Sequence, residues 1–280
     1  MLSVVCPVRA PGVTPVTAVV AGGLQRGEQG DELCGDPAGD APSPSWVLTV
    51  RQLFPFPLDP VDPVSVYGDA PVAPGRPSVR LNMIASVDGA SAVAGLSGAL
   101  GGTADRRVFS VLRSVADAVL VAAGTVRAEH YGPGELPIAV VTRSCRLDWR
   151  SPFFTAARFR PIVITVATAP AVDRAQAEEV ADVVIAGSDE VDLRVALGIL
   201  AERGTRSVLA EGGPSLNGQL AAAGLLDELC LTLSPVVVGG DTKRILTGAG
   251  PAVPAPLQLC SVCEDEGFVF LRLRRAASPR

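Results

Sequence analysis

Residues 207–240 read SVLAEGGPSLNGQLAAAGLLDELCLTLSPVVVGG. Residues 207–210 form a short apolar run bounded by turn residues, the pattern of a buried strand. Glu211-Gly212-Gly213-Pro214-Ser215 breaks it. Proline is well tolerated at the first helical position, so a helix opens at Pro214 and runs to about Ala223. After Asp227 the pattern changes. Residues 228–234, 257–262 and 268–274 read as strands with no helical stretch between them. One segment therefore closes a strand–helix series and opens an antiparallel end.

Upstream of it, strands and helices alternate. Residues 79–87 predict a strand ended by the turn pair Asp88-Gly89, followed by a Gly/Ala/Ser-rich loop over 90–102. Thr103 is the expected N-cap of a helix whose Val108, Val111, Leu112 and Val115 recur at helical spacing. Strands follow at 118–123, 138–142, 162–166 and 182–186, with helices at 171–180 and 192–203. Alternation of this kind implies an α/β fold, a mostly parallel central sheet with helices on both faces, finished here by an antiparallel C-terminal hairpin.

The first part of the chain differs. Residues 22–45 are rich in Gly, Pro, Asp and Ser, and cannot bury enough apolar area to offset their ordering entropy. Residues 1–45 are read as a disordered extension. Residues 46–78, with Phe54-Pro55-Phe56-Pro57, Asp59-Pro60 and Asp62-Pro63, read as an extended proline-rich lead-in with regular structure starting at Val79. The main domain is expected over 79–275.

Composition removes several classes of function. The net charge is −5, the sequence pI is near 5.0, and Lys243 is the only lysine, a poor match to nucleic acid or an anionic membrane. No apolar run reaches the roughly 18 residues that span a bilayer, and no basic, apolar signal peptide opens the chain. A cytoplasmic protein is expected. Cys260-Ser-Val-Cys263 has neither a second cysteine pair nor a histidine near it, so its thiols read as buried side chains and not as metal ligands. His130 is the one histidine, on a polar loop, and neither G-x-S-x-G, a P-loop nor G-x-G-x-x-G occurs.

The remaining chemistry lies at strand ends, where open α/β sheets bind ligands. Gly212 and Gly213 permit close backbone approach, and the helix starting at Pro214 offers unpaired N–H groups to a phosphate. A plain Gly-Gly-Pro turn is the alternative. Asp88 with the loop after it, the Gly124-Thr125-Val-Arg-Ala-Glu129 connection, and Arg113 on the face of its helix shared with Arg106 are the other candidates. Each has an ordinary structural reading as turn, connection or solvated side chain.

Four pieces in order carry a resemblance: Asn82-Met-Ile-Ala-Ser-Val-Asp-Gly89, Gly95-Leu-Ser97, VLRSVADAVLVAAGTVRAE (111–129) and LAEGGPSLNGQLAAAGLLDELCLTLSPVVVGG (209–240). Residues 79–274 resemble the C-terminal reductase domain of the bifunctional riboflavin deaminase–reductase in a stand-alone form, and the resemblance implies a dihydrofolate reductase-like fold. It also implies NADPH and reduction of 5-amino-6-(5-phosphoribosylamino)uracil at the ribosyl C1′. A homodimer is expected as well, because residues 229–238 read as an apolar strand near the end of the sheet that a lone chain would have to cover, and relatives of this fold pair through that region. By position, Ser97, Arg113 and Glu211 match substrate-binding residues, Arg113 suiting a phosphate and Glu211 a uracil or ribose group. Ile84, Thr125, Glu129, Gly212, Gly213, Pro214, Ser215, Leu216 and Asn217 match the cofactor side. Asp88 and Glu211 are the catalytic candidates, and no metal site is expected.

The chain departs from the family pattern at Ala99, where an aromatic or larger residue is usual, and at Glu129, usually aspartate. The zinc-binding His-x-Glu and Pro-Cys-x-x-Cys of the deaminase half do not occur. Two other readings stay open: an NADPH-dependent reductase of another heterocycle such as dihydrofolate, and a non-catalytic NADPH-binding protein.

Overall fold

Regular structure begins earlier than Val79. The computed structural model describes residues 49–276 apart from 249 and 253, so the expectation for residues 1–45 lies outside the described residues. The proline-rich stretch supplies Val50–Phe54 (β1), Leu58–Val61 (β2) and Pro63–Tyr67 (α1). β2 contains Pro60 and is the outermost strand of the sheet. A proline has no N–H to donate, and an edge position tolerates that loss. Prolines that argued against regular structure here mark a sheet edge instead.

The central elements follow the expected order. They are Ser78–Ser86 (β3), Thr103–Ser114 (α2), Ala118–Ala122 (β4), Ala123–Ala128 (α3), Ile138–Val141 (β5), Pro152–Thr155 (α4) and Ile162–Thr165 (β6). Then come Ala171–Val180 (α5), Asp182–Ile185 (β7), Leu193–Glu202 (α6), Ser207–Ala210 (β8) and Pro214–Ala222 (α7). Glu228–Ser234 (β9), Leu257–Asp265 (β10) and Phe268–Arg275 (β11) complete the sheet, whose order is β2-β1-β10-β11-β9-β3-β8-β4-β5-β6-β7. β3 is flanked by β8 and β9, both parallel to it, and the parallel run continues from β8 through β4, β5 and β6 to β7. β9, β11, β10, β1 and β2 pair antiparallel. The α/β architecture with an antiparallel C-terminal hairpin is the one expected.

Three local expectations are corrected. Gly102, not Thr103, is the N-cap of α2, so the threonine is already helical. β9 lies inside the sheet between β11 and β3, so residues 229–238 present no edge that a second copy would have to cover. Of the Cys260 and Cys263 pair only Cys263 is fully buried, and both thiols are free.

Adjacent residues of the central strands serve opposite faces, as the pleat requires. Val79, Leu81 and Leu120 pack with Leu193, Leu197 and Leu200 of α6 and Leu216 and Leu220 of α7. Leu209, Cys230 and Phe270 pack with Val108, Val111 and Leu112 of α2. Fully burying one such side chain contributes about 1.5–3 kcal/mol. These two layers clamp the sheet and fix the carboxyl ends of β3, β4, β5 and β8 on one rim.

Below that rim lies a buried ion cluster. The Glu228 side chain is 0% exposed, with Arg272 Nη2 at 3.0 Å and Arg274 Nε at 2.7 Å. Arg80 Nε lies 2.5 Å from the same carboxylate but is not aligned to donate a hydrogen bond, so its contribution is charge rather than directional bonding. Burial raises the Glu228 pKa, but the surrounding arginines outweigh it and hold the group below its ordinary value.

Candidate active site

A cleft of about 1480 Å³ opens along the rim, lined from β3 by Asn82, Met83 and Ile84 and from α2 by Asp105, Phe109 and Arg113. This exceeds the usual volume of a site for one small ligand, roughly 300–1,000 Å³. Its other walls are the glycine-rich loop, α3 with its following turn, the end of β5, the start of α7, and the loop carrying Lys243.

Glu211 follows directly on β8, and its side chain is only 3% exposed. A carboxylate so far from water needs partners. Arg113 supplies a two-pronged one, Nε to Oε1 at 2.8 Å and Nη2 to Oε2 at 2.7 Å. The Tyr131 hydroxyl donates to Oε2 at 2.5 Å. The Arg113 guanidinium carbon also lies 4.5 Å from the Phe109 ring centroid, a cation–π contact. Burial lowers the Arg113 pKa, but the Glu211 carboxylate more than compensates and leaves it raised. Burial first, then the Glu211 charge, hold the Tyr131 phenol well above its ordinary range, so Tyr131 is a hydrogen-bond donor at neutral pH.

The two residues assigned separate ligand groups from the sequence thus hold each other. A guanidinium has five N–H donors, of which the Glu211 pair takes two, so Arg113 can still face an anion.

The turn after β8 is built close. Gly212 has φ 92°, in the left-handed region where glycine is favoured. Gly213 has φ −70°, so the strained position is Gly212 and not Gly213. Gly213 is needed for space, because a Cβ there would stand 2.9 Å from Thr125 Oγ1. In α7 Pro214 lacks an N–H, and the Asn217 N–H bonds the Gly213 carbonyl at 3.1 Å. The Ser215 and Leu216 N–H groups are the donors left to a ligand, at the positive end of the helix dipole.

Ile84, Ser97, Arg113, Thr125, Glu129, Glu211, Gly213, Pro214, Ser215 and Leu216 all line the cleft. Glu129 does so while accepting the Ser97 N–H at 2.8 Å, which ties the glycine-rich loop to α3. Gly212 and Asn217 do not line it. The Asn217 side chain is buried and donates to the Ile245 carbonyl at 2.8 Å, fastening the Lys243-bearing loop. Asp88 is also elsewhere. Its carboxylate accepts from Ser86 and from the N–H groups of Val238 and Gly239, the last at 2.7 Å. Those bonds lower its pKa to about 2. Asp88 is a turn anchor away from the cleft wall, which removes the reason to expect catalysis from it.

Sequence reading missed Asp105, Phe109, Tyr131, Arg127, Arg143 and Lys243 on the cleft wall. The first two were accessible, since they precede Arg113 by eight and four residues on one helix face. Among the described residues no group of acidic, histidine or cysteine side chains could hold a metal. No described helix is long and apolar enough to cross a membrane.

A helix N-terminus, a paired arginine–glutamate and a large cleft lie on one rim of an α/β sheet, and the relatives of the chain make it a reductase-type oxidoreductase. The RibD C-terminal domain model matches residues 77–269, and the chain belongs to that family. It is 34% identical over 187 residues to the 2,5-diamino-6-ribosylamino-4(3H)-pyrimidinone 5′-phosphate reductase of Methanothermobacter thermautotrophicus, covering 62% of this chain and 86% of that protein. A pyrimidine reductase-like protein of Corynebacterium diphtheriae shares the fold with TM-score 0.69 and 25% identity, over 77% of this chain and 99% of that one. The riboflavin biosynthesis reductase Rib7 of Saccharomyces cerevisiae has TM-score 0.59 at 21% identity, over 76% and 97% of the two chains, a likeness of fold. A nicotinamide cofactor follows from the family, and the cleft's volume and the α7 terminus on its wall fit one.

Proposed function

We propose that the chain reduces the ribosyl C1′ of a phosphoribosylamino-pyrimidine with NADPH, the reductase step of riboflavin biosynthesis. Overall, substrate, NADPH and one proton give the ribitylamino product and NADP⁺. When bound, the dinucleotide supplies the hydride. The chain's own residues supply binding, orientation and a dry site.

The observation that carries the reading is the Arg113–Glu211–Tyr131 cluster on a cleft that the α7 N-terminus also lines. Ser215 and Leu216 N–H groups, with Thr125 beside Gly213, would hold the dinucleotide's phosphates. Arg113, fixed by Glu211, would turn its remaining donors to the substrate phosphate. Arg127 and Arg143 on the same cleft favour a cofactor with an additional phosphate, hence NADPH over NADH. In the proposal the protein acts in the cytoplasm, as a homodimer. The exposed Leu53, Phe54, Phe56 and Leu58 at the β1–β2 end of the sheet favour self-association.

Steady-state NADPH oxidation with the aminouracil phosphate, its 2-amino counterpart and dihydrofolate tests the reading. Turnover of a phosphoribosylamino-pyrimidine supports it. Turnover of dihydrofolate alone would replace it with the other heterocycle, and cofactor binding without turnover of any would leave a non-catalytic binder.

A further inference from the structure

The turn that follows α3 brings Tyr131 to the Arg113–Glu211 pair. α3 ends at Ala128, and His130 takes φ 49°, in the left-handed region that histidine visits more readily than most residues. The Tyr131 N–H closes the turn on the Val126 carbonyl at 3.3 Å. The half-buried Tyr131 ring packs edge-on against Phe153 of α4, with centroids 6.4 Å apart and Phe153 itself only 1% exposed. Phe153 packs edge-on in turn against Phe154, at 4.7 Å, so a buried aromatic pair braces the phenol ring. From that brace the hydroxyl donates to Glu211 Oε2 at 2.5 Å. Burial holds the phenol above its ordinary range, so the proton stays on its oxygen.

Three groups hold the Arg113 guanidinium. Glu211 accepts from Nε and Nη2, the Phe109 ring centroid lies 4.5 Å from the guanidinium carbon, and the Tyr131 centroid lies 5.8 Å from it. Phe109 shares α2 with Arg113, and Glu211 follows β8. Tyr131 alone comes from the α3 side, where Thr125 stands beside Gly213. Among the described residues no other side chain hydrogen-bonds either member of the pair. Without the hydroxyl, Oε2 keeps one donor, Arg113 Nη2, and a buried carboxylate with fewer partners no longer fixes the guanidinium plane. A group fixed before the ligand arrives loses less freedom on binding. Resting on the reductase reading above, we propose that Tyr131 is a positioning residue for the substrate's phosphate. Its hydroxyl, braced by Phe153, fixes the carboxylate that aims Arg113, and it acts through that pair and not on the reacting atoms. The consequence is selectivity for a phosphorylated over an unphosphorylated ribose.

The test uses Tyr131→Phe, which keeps the ring on Phe153 and removes only the hydroxyl. It compares kcat/KM for the phosphoribosylamino-pyrimidine and for the same riboside without its phosphate, in the wild type, Tyr131→Phe, Arg113→Ala and the double variant. In parallel, the rise in Tm with inorganic phosphate is read on the NADPH-saturated proteins. Tyr131→Phe should lose about three- to tenfold in kcat/KM for the phosphorylated substrate, mostly in KM, the cost of fixing one side chain on binding. The riboside should stay within about twofold. In the Arg113→Ala background the second substitution should add nothing. Inorganic phosphate should raise Tm less in Tyr131→Phe than in the wild type, and least in Arg113→Ala. Equal losses for the phosphorylated and unphosphorylated forms would mark a merely structural tyrosine, and full additivity with Arg113→Ala would place its effect elsewhere. Either result overturns the proposal. If the wild type turns over neither pyrimidine, the reductase reading fails, and the phosphate titration alone decides Tyr131: an unchanged response in Tyr131→Phe overturns its role, and a weakened one supports it.

Discussion

Arg113 and Glu211, 98 residues apart in the chain, meet in a two-pronged ion pair of 2.8 and 2.7 Å at the wall of the cleft. The geometry makes them one unit: Glu211 is buried and depends on Arg113, and Arg113 is aimed by Glu211. Arg113→Ala should therefore cost both stability, by about 1–3 kcal/mol from the stranded carboxylate, and at least tenfold in kcat/KM. Glu211→Gln should lose a similar factor in kcat/KM. The double variant should lose little more than the worse single one, because the second substitution has no pair left to break. Full additivity in kcat/KM would show that the two side chains act independently.

Gly213→Val should weaken nicotinamide-cofactor binding by tenfold or more while the protein stays folded. The new side chain would be forced against Thr125 Oγ1, moving the α7 turn away from the ligand. Thr125→Ala in the same background should recover part of the loss. Fluorescence titration with NADPH reads both, and unchanged affinity in Gly213→Val takes the turn out of the site.

Asp88→Asn should leave steady-state turnover within a few-fold and loosen the turn it anchors. Amide exchange at Val238 and Gly239 should speed up, since their N–H groups lose a charged acceptor. In the wild type the protection should persist as pH falls below 3.8 and fade toward about 2, where the carboxyl titrates. A large loss of kcat with unchanged exchange would restore Asp88 as a catalytic group.

Glu228 predicts acid sensitivity of the fold. Its folded pKa lies below the ordinary value of a glutamate, so the stability it confers is complete above that ordinary value. It is lost as pH falls through the lower, folded value. Urea titrations between neutral and acid pH should show this decline. Glu228→Gln should flatten it and cost about 3–5 kcal/mol at neutral pH, since Arg80 and Arg272 stay buried without their anion. A decline of equal slope in the variant would place the acid sensitivity elsewhere.

How far the sequence was legible depends on the range of the interaction. The strand-turn-helix at 207–222 and the change of pattern after Asp227 are local, and the structure has them where the periodicity put them. β1 and β2 were hidden because an edge strand tolerates the very residue that rules out a central one, as Pro60 shows. Asp88 looked like a strand-end carboxylate facing a pocket. Its partners Val238 and Gly239 lie 150 and 151 residues away, and no local pattern reveals that. The same limit hid Tyr131 on Glu211, whereas Asp105 and Phe109 could be counted back from Arg113 along one helix.

The proposed reaction is hydride delivery from NADPH to C1′ of a phosphoribosylamino-pyrimidine. Its most direct measurement follows NADPH consumption with that substrate and weighs the product by mass spectrometry. One NADPH should be oxidised per product, and the product should be heavier by two hydrogens, with deuterium from labelled cofactor found at C1′. NADPH left unconsumed in the presence of either pyrimidine, or deuterium found at another carbon, would contradict it.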